Sequence, residues 1–328
     1  MQIYADLGHT RLFYEALKAV YGPSHQIQVP LCSSDGSTLL TDKDDIIHRW
    51  SEHFSSLFSD KRKVEESSML RIPQAEEKTE LDDLPTLEEV KKAVRQMNPG
   101  KSPGIDGIPA EVYQYGGEKM TDCLHDLFTK CWEQGSGPQD LRDAIIVSLY
   151  KNKGEKSDCS ITLLSIAGKI LARLLLNRLI STIAKENAPE SQYGFRANRG
   201  TTDMVFVLRQ IQEKCREQNM GLSAAFIDLT IAFDTVSREG LWKIPARLGC
   251  PPKLLCILRQ LHEGQMGQVM HNGVLSDSFP IANSVKQGCV LAPTLFSIFF
   301  IMMLREAKED LVDGIFIRFR TDGSVFNL

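Results

Sequence analysis

Hydrophobic positions along the chain alternate between two periods, and each period predicts an element. In "DKDDIIHRWSEHFSSLF" the apolar residues fall at 46, 47, 50, 54, 57 and 58, the spacing of one helix face. The charged stretch "SDKRKVEESSMLRIPQAEEKTELDD" that follows keeps no such period and is expected to be a linker. Leu87, Val90, Val94 and Met97 restore a helical stripe, and Thr86 with Glu89 carries the signature of a capping box. Asn98-Pro99-Gly100 stops that helix, and the loop "NPGKSPGIDGIP" after it is expected to be a connector.

Residues 144–150 predict a strand that runs into a basic turn with Lys151 and Lys153. "AGKILARLLLNRLISTIAKE" predicts a helix with Lys169, Arg173 and Asn177 on one face, at i, i+4 and i+8. "TTDMVFVLRQIQEKCREQ" predicts another, capped near Thr202 or Asp203, with Val205, Leu208, Ile211 and Cys215 inward. The apolar run at 223–229 predicts a strand. Ser237 then caps the helix "REGLWKIPARLG", which Gly249 closes. Pro245 removes a hydrogen bond at a cost of about 3 kcal/mol, so that helix is expected to be kinked or shortened. Gln287-Gly288 makes a bare turn feeding a helix at 293–309, and "GIFIRFRTDGSVFNL" predicts a hairpin around Asp322-Gly323.

Composition adds limits. A chain of 328 residues, 42% hydrophobic, can bury a sizeable core in two or three domain-sized units. The pattern suggests an arm and linker at 1–84, a middle region at 85–220 and a last region at 221–328. The longest apolar run, 289–304, is interrupted by Pro293, Thr294 and Ser297. It falls short of the roughly 20 residues a membrane span needs, so a buried core helix is expected. The N-terminal stretch is polar and the eight cysteines contain no CxxC pair, which points to reduced thiols and an intracellular, nuclear or cytoplasmic setting.

The net charge of −4 is unevenly spread. Residues 40–90 hold 14 acidic and 7 basic side chains, whereas residues 142–199 hold 10 basic and 5 acidic ones. A basic middle beside an acidic arm fits a polyanionic partner. Within it, "ESQYGFRANRGTT" interleaves Tyr193, Phe195, Arg196 and Arg199 around glycines, a pattern suited to stacking and phosphate contact or to a surface loop tied down by two aromatics.

The candidate chemistry lies in "AFIDLTIAFDTV". A carboxylate at the tip of a buried strand is costly unless it is paired or binds a metal. Along one continuous strand, Asp228 and Asp234 would stand roughly 20 Å apart at about 3.3 Å per residue, too far to share an ion. Asp228 at the strand tip is the natural ligand, and Asp234 in the following turn is expected to brace the backbone. A second ligand carboxylate must come from elsewhere.

Five stretches, "GKSPGIDGIPAEVYQYGG", "ITLLSIAGKILARLLLNRL", "ESQYGFRANRGTTDMVFVLRQIQEKCREQ", "AFIDLTIAFDTVSREGLW" and "VKQGCVLAPTLFSIFF", occur in the order found in LINE-type (non-LTR) retrotransposon reverse transcriptases. The chain resembles that domain most specifically over residues 85–328. The resemblance implies an α+β fold: helix-rich fingers, then an incomplete palm with a small, mostly antiparallel sheet. It implies RNA-directed DNA polymerase chemistry, with an RNA template, a DNA primer, deoxynucleotides, Mg2+ as cofactor and no membrane. By resemblance Asp228 is the catalytic, metal-binding aspartate, with the Leu229 carbonyl beside it. Phe233 is the gate against a ribose 2′-hydroxyl, Gln287 and Gly288 line the nucleotide pocket, and Arg196 and Arg199 follow the template. Lys151 and Lys153 are further nucleic-acid contacts expected from the basic turn.

The sequence also departs from that family. No aromatic-Ala-Asp-Asp run occurs in the 328 residues, and Asp-Asp is found only at 44–45 and 82–83. "KSDCSITLLS" lacks the Tyr-Arg-Gly segment, Ile231 stands where many relatives have lysine, and Pro245 interrupts a helix the family keeps whole. Three readings follow: a polymerase, a non-catalytic nucleic-acid-binding remnant, or a decayed retrotransposon product. Absence of polymerase activity in this chain is the expectation.

Overall fold

The computed structural model describes residues 31–59, 71–150, 158–229, 232–285, 288–308, 316–318 and 325–327, with isolated positions at 16, 19, 20, 64 and 69. Two compact units are present, Met1–Arg49 and Trp50–Leu328. In the first, β1 (Leu31–Cys32) pairs antiparallel with β2 (Leu39–Leu40). Hydroxyls of Ser33 and Ser37 bond the Asp35 carboxylate in the intervening turn and hold its pKa down at about 2. Helix α1 (Lys43–Ser59) crosses the boundary between the units, and its portion in the second unit carries the aromatic stack Trp50, Phe54 and Phe58 that its apolar period predicts.

The second unit contains α2 (Leu87–Arg95), α3 (Ala110–Tyr115), α4 (Gly117–Gln134) and the strands β3 (Ala144–Tyr150) and β4 (Asp158–Leu164). Helices α5 (Ile166–Leu179), α6 (Thr201–Glu217), α7 (Arg238–Arg247) and α8 (Pro252–Gln260) come next. The strands β5 (Gln265–His271), β6 (Val274–Leu275) and β7 (Phe279–Ile281) precede helix α9 (Ala292–Lys308). A last pair, β8 (Phe316–Arg318) and β9 (Val325–Asn327), is antiparallel, as the hairpin pattern predicts; its Asp322-Gly323 turn lies outside the described residues.

The main sheet runs β4-β3-β5-β6, with β7 also on β5. The β3–β5 pair is parallel and the other pairs are antiparallel, which gives the expected α+β class with a small, mostly antiparallel sheet. Asn272 and Gly273 both take positive φ (49° and 81°) between the partners His271 and Val274, a two-residue type I′ turn.

Helix α5 is the centre of the core. Ile170, Leu171, Leu174, Leu175 and Leu179 are all within 1% of full burial. Arg178 enters that core as well. Its Nε and Nη2 reach Glu89 at 2.7 and 2.8 Å, and Nη1 donates to the carbonyls of Leu81 and Asp83 at 3.0 and 2.6 Å. The guanidinium also lies 4.8 Å over the Trp132 ring. Glu89 completes the capping box with Thr86, as its sequence signature predicts. Burial raises the Glu89 pKa, but the bonds from Arg178 and Thr86 outweigh it and leave the group below its ordinary value.

Four sequence expectations change. Residues 223–229 take no regular structure and join no ladder, and Phe226 and Ile227 are 86% and 84% exposed. The pattern identifies a segment able to pair, but a strand exists only with a partner, and no described segment supplies one. Helix α6 starts at Thr201, one residue before the expected cap, where the Gly200 N–H bonds the Asp203 carboxylate at 2.8 Å. Its Cys215 is buried, while Val205 on the face expected to be inward is 54% exposed. Pro245 leaves α7 intact to Arg247, because the lost hydrogen bond falls in the last turn. The charged linker also feeds the core through Ile72 and Leu81.

Candidate active site

The turn at 232–236 is the hub of the candidate site. The carbonyl of Phe233 accepts the Val285 N–H at 3.0 Å, and the carbonyl of Val236 accepts that of Ser284 at 3.4 Å. These bonds tie the segment after Asp228 to the segment that leads into Gly288. The Phe233 ring stacks on Phe296 of α9 at 4.6 Å and meets Phe195 edge-on at 5.9 Å. Phe233 thus joins three elements: the 232–236 turn, the arginine loop and α9.

Gly288 has φ +111°, and a Cβ there would collide with the Thr162 carbonyl of β4. Only glycine accepts both the backbone angle and the contact. Ser284, fully buried with φ 85°, is a second left-handed position in the same connection.

Arg238 holds this connection from beneath. Its Nε donates to the Ser284 carbonyl at 3.2 Å, and Nη1 donates to the carbonyls of Ile281, at 3.0 Å, and His262. Burial pushes its pKa down to about 10, so the group stays a cation. Reading from the sequence missed this residue. A signal was present: a cation in the first turn of a helix opposes the macrodipole and needs a compensating tertiary partner. The Asn272-Gly273 turn was equally legible and equally missed.

Asp234 is largely buried, and burial pushes its pKa up to about 6. Among the described residues its carboxylate makes no hydrogen bond. Asp228 and Leu229 lie in the exposed 223–229 segment, and no described hydrogen bond or ion pair joins Asp228 to another residue. Lys151, Lys153 and Gln287 lie outside the described residues.

In the loop before α6, Arg196 donates to the carbonyls of Pro189 and Gln192 at 2.7 and 3.3 Å. Arg196 and Arg199 both pair with Glu190, and Arg199 lies 5.8 Å over the Tyr193 ring. Both arginines are therefore engaged within their own loop.

A divalent ion does not fit what is described. A hard cation needs several converging oxygens. Asp228 offers one exposed carboxylate, and among the described residues no three His, Cys, Asp or Glu side chains converge on a metal position. The described helices include none long and apolar enough to cross a membrane.

Comparison with known proteins identifies the family. The family model for "Reverse transcriptase (RNA-dependent DNA polymerase)" matches residues 150–324. The chain is 28% identical over 324 residues to the transposon TX1 uncharacterized 149 kDa protein of Xenopus laevis, covering 95% of this chain and 24% of that protein. It is 32% identical over 219 residues to the RNA-directed DNA polymerase from mobile element jockey of Drosophila melanogaster, covering 65% of this chain and 24% of that one. To the putative 115 kDa protein in type-1 retrotransposable element R1DM of the same fly it is 27% identical over 241 residues, covering 68% and 22%. The chain belongs to the reverse transcriptase family, in its LINE-type, non-LTR branch. It spans about a quarter of the length of these relatives.

Proposed function

We propose that this chain is the fingers and part of the palm of an RNA-directed DNA polymerase, and that its own 328 residues bind primer and RNA template without extending the primer. The observation that carries the reading is the family match over 150–324, which contains Asp228, Phe233 and Gly288 together. The backbone bonds between the Phe233 turn and the segment before Gly288 support treating them as one pocket. Phe233 is the sugar gate in this reading, and Gln287 and Gly288 border the nucleotide. Asp228, with the Leu229 carbonyl, contributes one side of a Mg2+ site whose other carboxylates these residues do not provide. No catalytic step is assigned to this chain alone.

The test is primer extension by the purified chain on an RNA template with Mg2+, alongside binding of the same primer–template across a salt series. Binding is expected, with affinity falling steeply as salt rises, and no extension is expected. Mg2+-dependent incorporation that disappears in Asp228→Asn would overturn the non-catalytic part. Absence of salt-dependent binding would overturn the nucleic-acid reading.

Glu190 sets a second expectation. It occupies Arg196 and Arg199, the loop cations proposed to follow the template. Exposed pairs of this kind contribute about 0.2–1 kcal/mol each. Glu190→Gln releases both arginines and is therefore expected to tighten single-stranded RNA binding by about twofold to thirtyfold, measured by fluorescence anisotropy at low salt. Unchanged affinity would show that these arginines do not meet RNA.

A further inference from the structure

Helix α5 is buried at every position from 166 to 179 except three: Lys169, Arg173 and Asn177. These form one i, i+4, i+8 stripe, so the most buried helix of the core shows solvent a face made of two cations and an amide. Asn177 is engaged, donating to Gln96 Oε1 at 2.9 Å. The two cations are not: among the described residues neither Lys169 nor Arg173 has a carboxylate or hydrogen-bond partner, and the Arg173 Nε is buried without an acceptor. Other arginines of this unit are matched, Arg178 by Glu89 and three carbonyls, Arg196 and Arg199 by Glu190, and Arg238 by three carbonyls.

We propose that Lys169 and Arg173 form a phosphate-binding pair, held for the backbone of a nucleic-acid strand or for the triphosphate of a nucleotide. The proposal rests on the polymerase reading above and adds to it a site on a helix that lies outside the loop of Arg196 and Arg199.

The surroundings of the stripe suit such a ligand. The loop after α2 runs along it, from Gln96 beside Asn177 to Gly104, whose missing Cβ lets it lie against the backbone of Leu164 and Ser165. That loop is anchored in place: Gly100 N–H bonds Glu111 at 2.6 Å, and Gln114 bonds the Met97 carbonyl at 2.6 Å. On the other side, Gly288 packs on Thr162, three residues before the Ser165 cap of α5. The stripe therefore opens between the 98–107 loop and the turn proposed to border the nucleotide. The two cations are about 6 Å apart along the helix axis, close enough to share one phosphate or meet two neighbouring ones. Burial holds the pKa values of both below their ordinary range, with Cys289 and Asp106 acting the other way on Lys169. Partly desolvated cations that no carboxylate bonds directly are costly, and a phosphate supplies a close counter-charge, bidentately for arginine.

The experiment compares the full chain with Lys169→Gln/Arg173→Gln. Anisotropy with labelled single-stranded RNA over a salt series reads the backbone source, and equilibrium dialysis with dATP reads the triphosphate source. If the source is the backbone, RNA affinity at low salt falls at least tenfold. The slope of log affinity against log salt then drops by about 1.4, two single-strand contacts at roughly 0.7 each. If the source is the triphosphate, dATP binding falls instead and the RNA slope holds. RNA and dATP binding both unchanged in the variant, with the wild-type chain binding either, would overturn the pair while leaving the polymerase reading intact. A wild-type chain that binds neither ligand would overturn the polymerase reading and the pair with it. Should the double variant fail to give a cooperative thermal transition, Lys169→Gln and Arg173→Gln singly are each expected to remove about half the slope change.

Discussion

Arg238→Ala is expected to lower the unfolding free energy by about 3 kcal/mol or more, from three buried carbonyls left without their donor. The substitution leaves the carbonyls of Ile281, Ser284 and His262 facing a void without a donor. Each buried, unsatisfied carbonyl costs about 1–3 kcal/mol. Arg238→Lys should recover only part of this, since one ammonium on a flexible stem cannot reproduce the planar fork that reaches all three. Urea unfolding of the three proteins measures the difference. Amide exchange gives a local readout: the Ser284 and Val285 N–H groups, bonded to Val236 and Phe233, should exchange faster in Arg238→Ala than amides of α5. If Arg238→Ala unfolds at the wild-type urea midpoint, the guanidinium does not clamp this connection.

Asp234→Asn is expected to stabilise the protein at pH 7.5 by about 2–3 kcal/mol. Burial raises this carboxyl from an ordinary value of 3.8 to about 6. A raised carboxyl binds its proton more tightly folded than unfolded. Stability from this group is therefore complete below about pH 4, declines as pH rises through about 6, and is absent above it. The amide removes the charge that neutral pH forces into the site. Chemical unfolding at several pH values should show wild-type stability falling between about pH 4 and 6 relative to the variant, with the two meeting at the acid end. Equal stabilities at pH 7.5 would mean that the carboxylate has a partner in solution. A buried acid that opposes folding is a feature expected of functional sites, where local requirements override stability.

Much of the architecture is written in local pattern. The Thr86–Glu89 capping box, the strand at 144–150, the helical run over "AGKILARLLLNRLISTIAKE" and the Gly249 stop need only neighbours within a few residues, and each forms where the pattern places it. Family membership is legible in the same way, because the order of the motifs survives without any contact being known. The site is less legible. Phe233 and Gly288 are visible as residues, but their connection depends on Val285, 52 positions after Phe233, bonding back to it. Arg238 shows only an awkward charge at a helix start until the fold delivers three carbonyls to it.

By itself, then, the sequence determined the family, the class of fold and the residues eligible for the site, since these follow from short-range periodicity and motif order. Tertiary structure alone decided which charges are matched. It paired Arg196 and Arg199 with Glu190, buried Arg178 against Glu89, and left Lys169 and Arg173 without a bonded carboxylate among the described residues. It also left 223–229 without a ladder partner among the described residues, because pairing and charge compensation both depend on which distant segment arrives, and no local pattern specifies that.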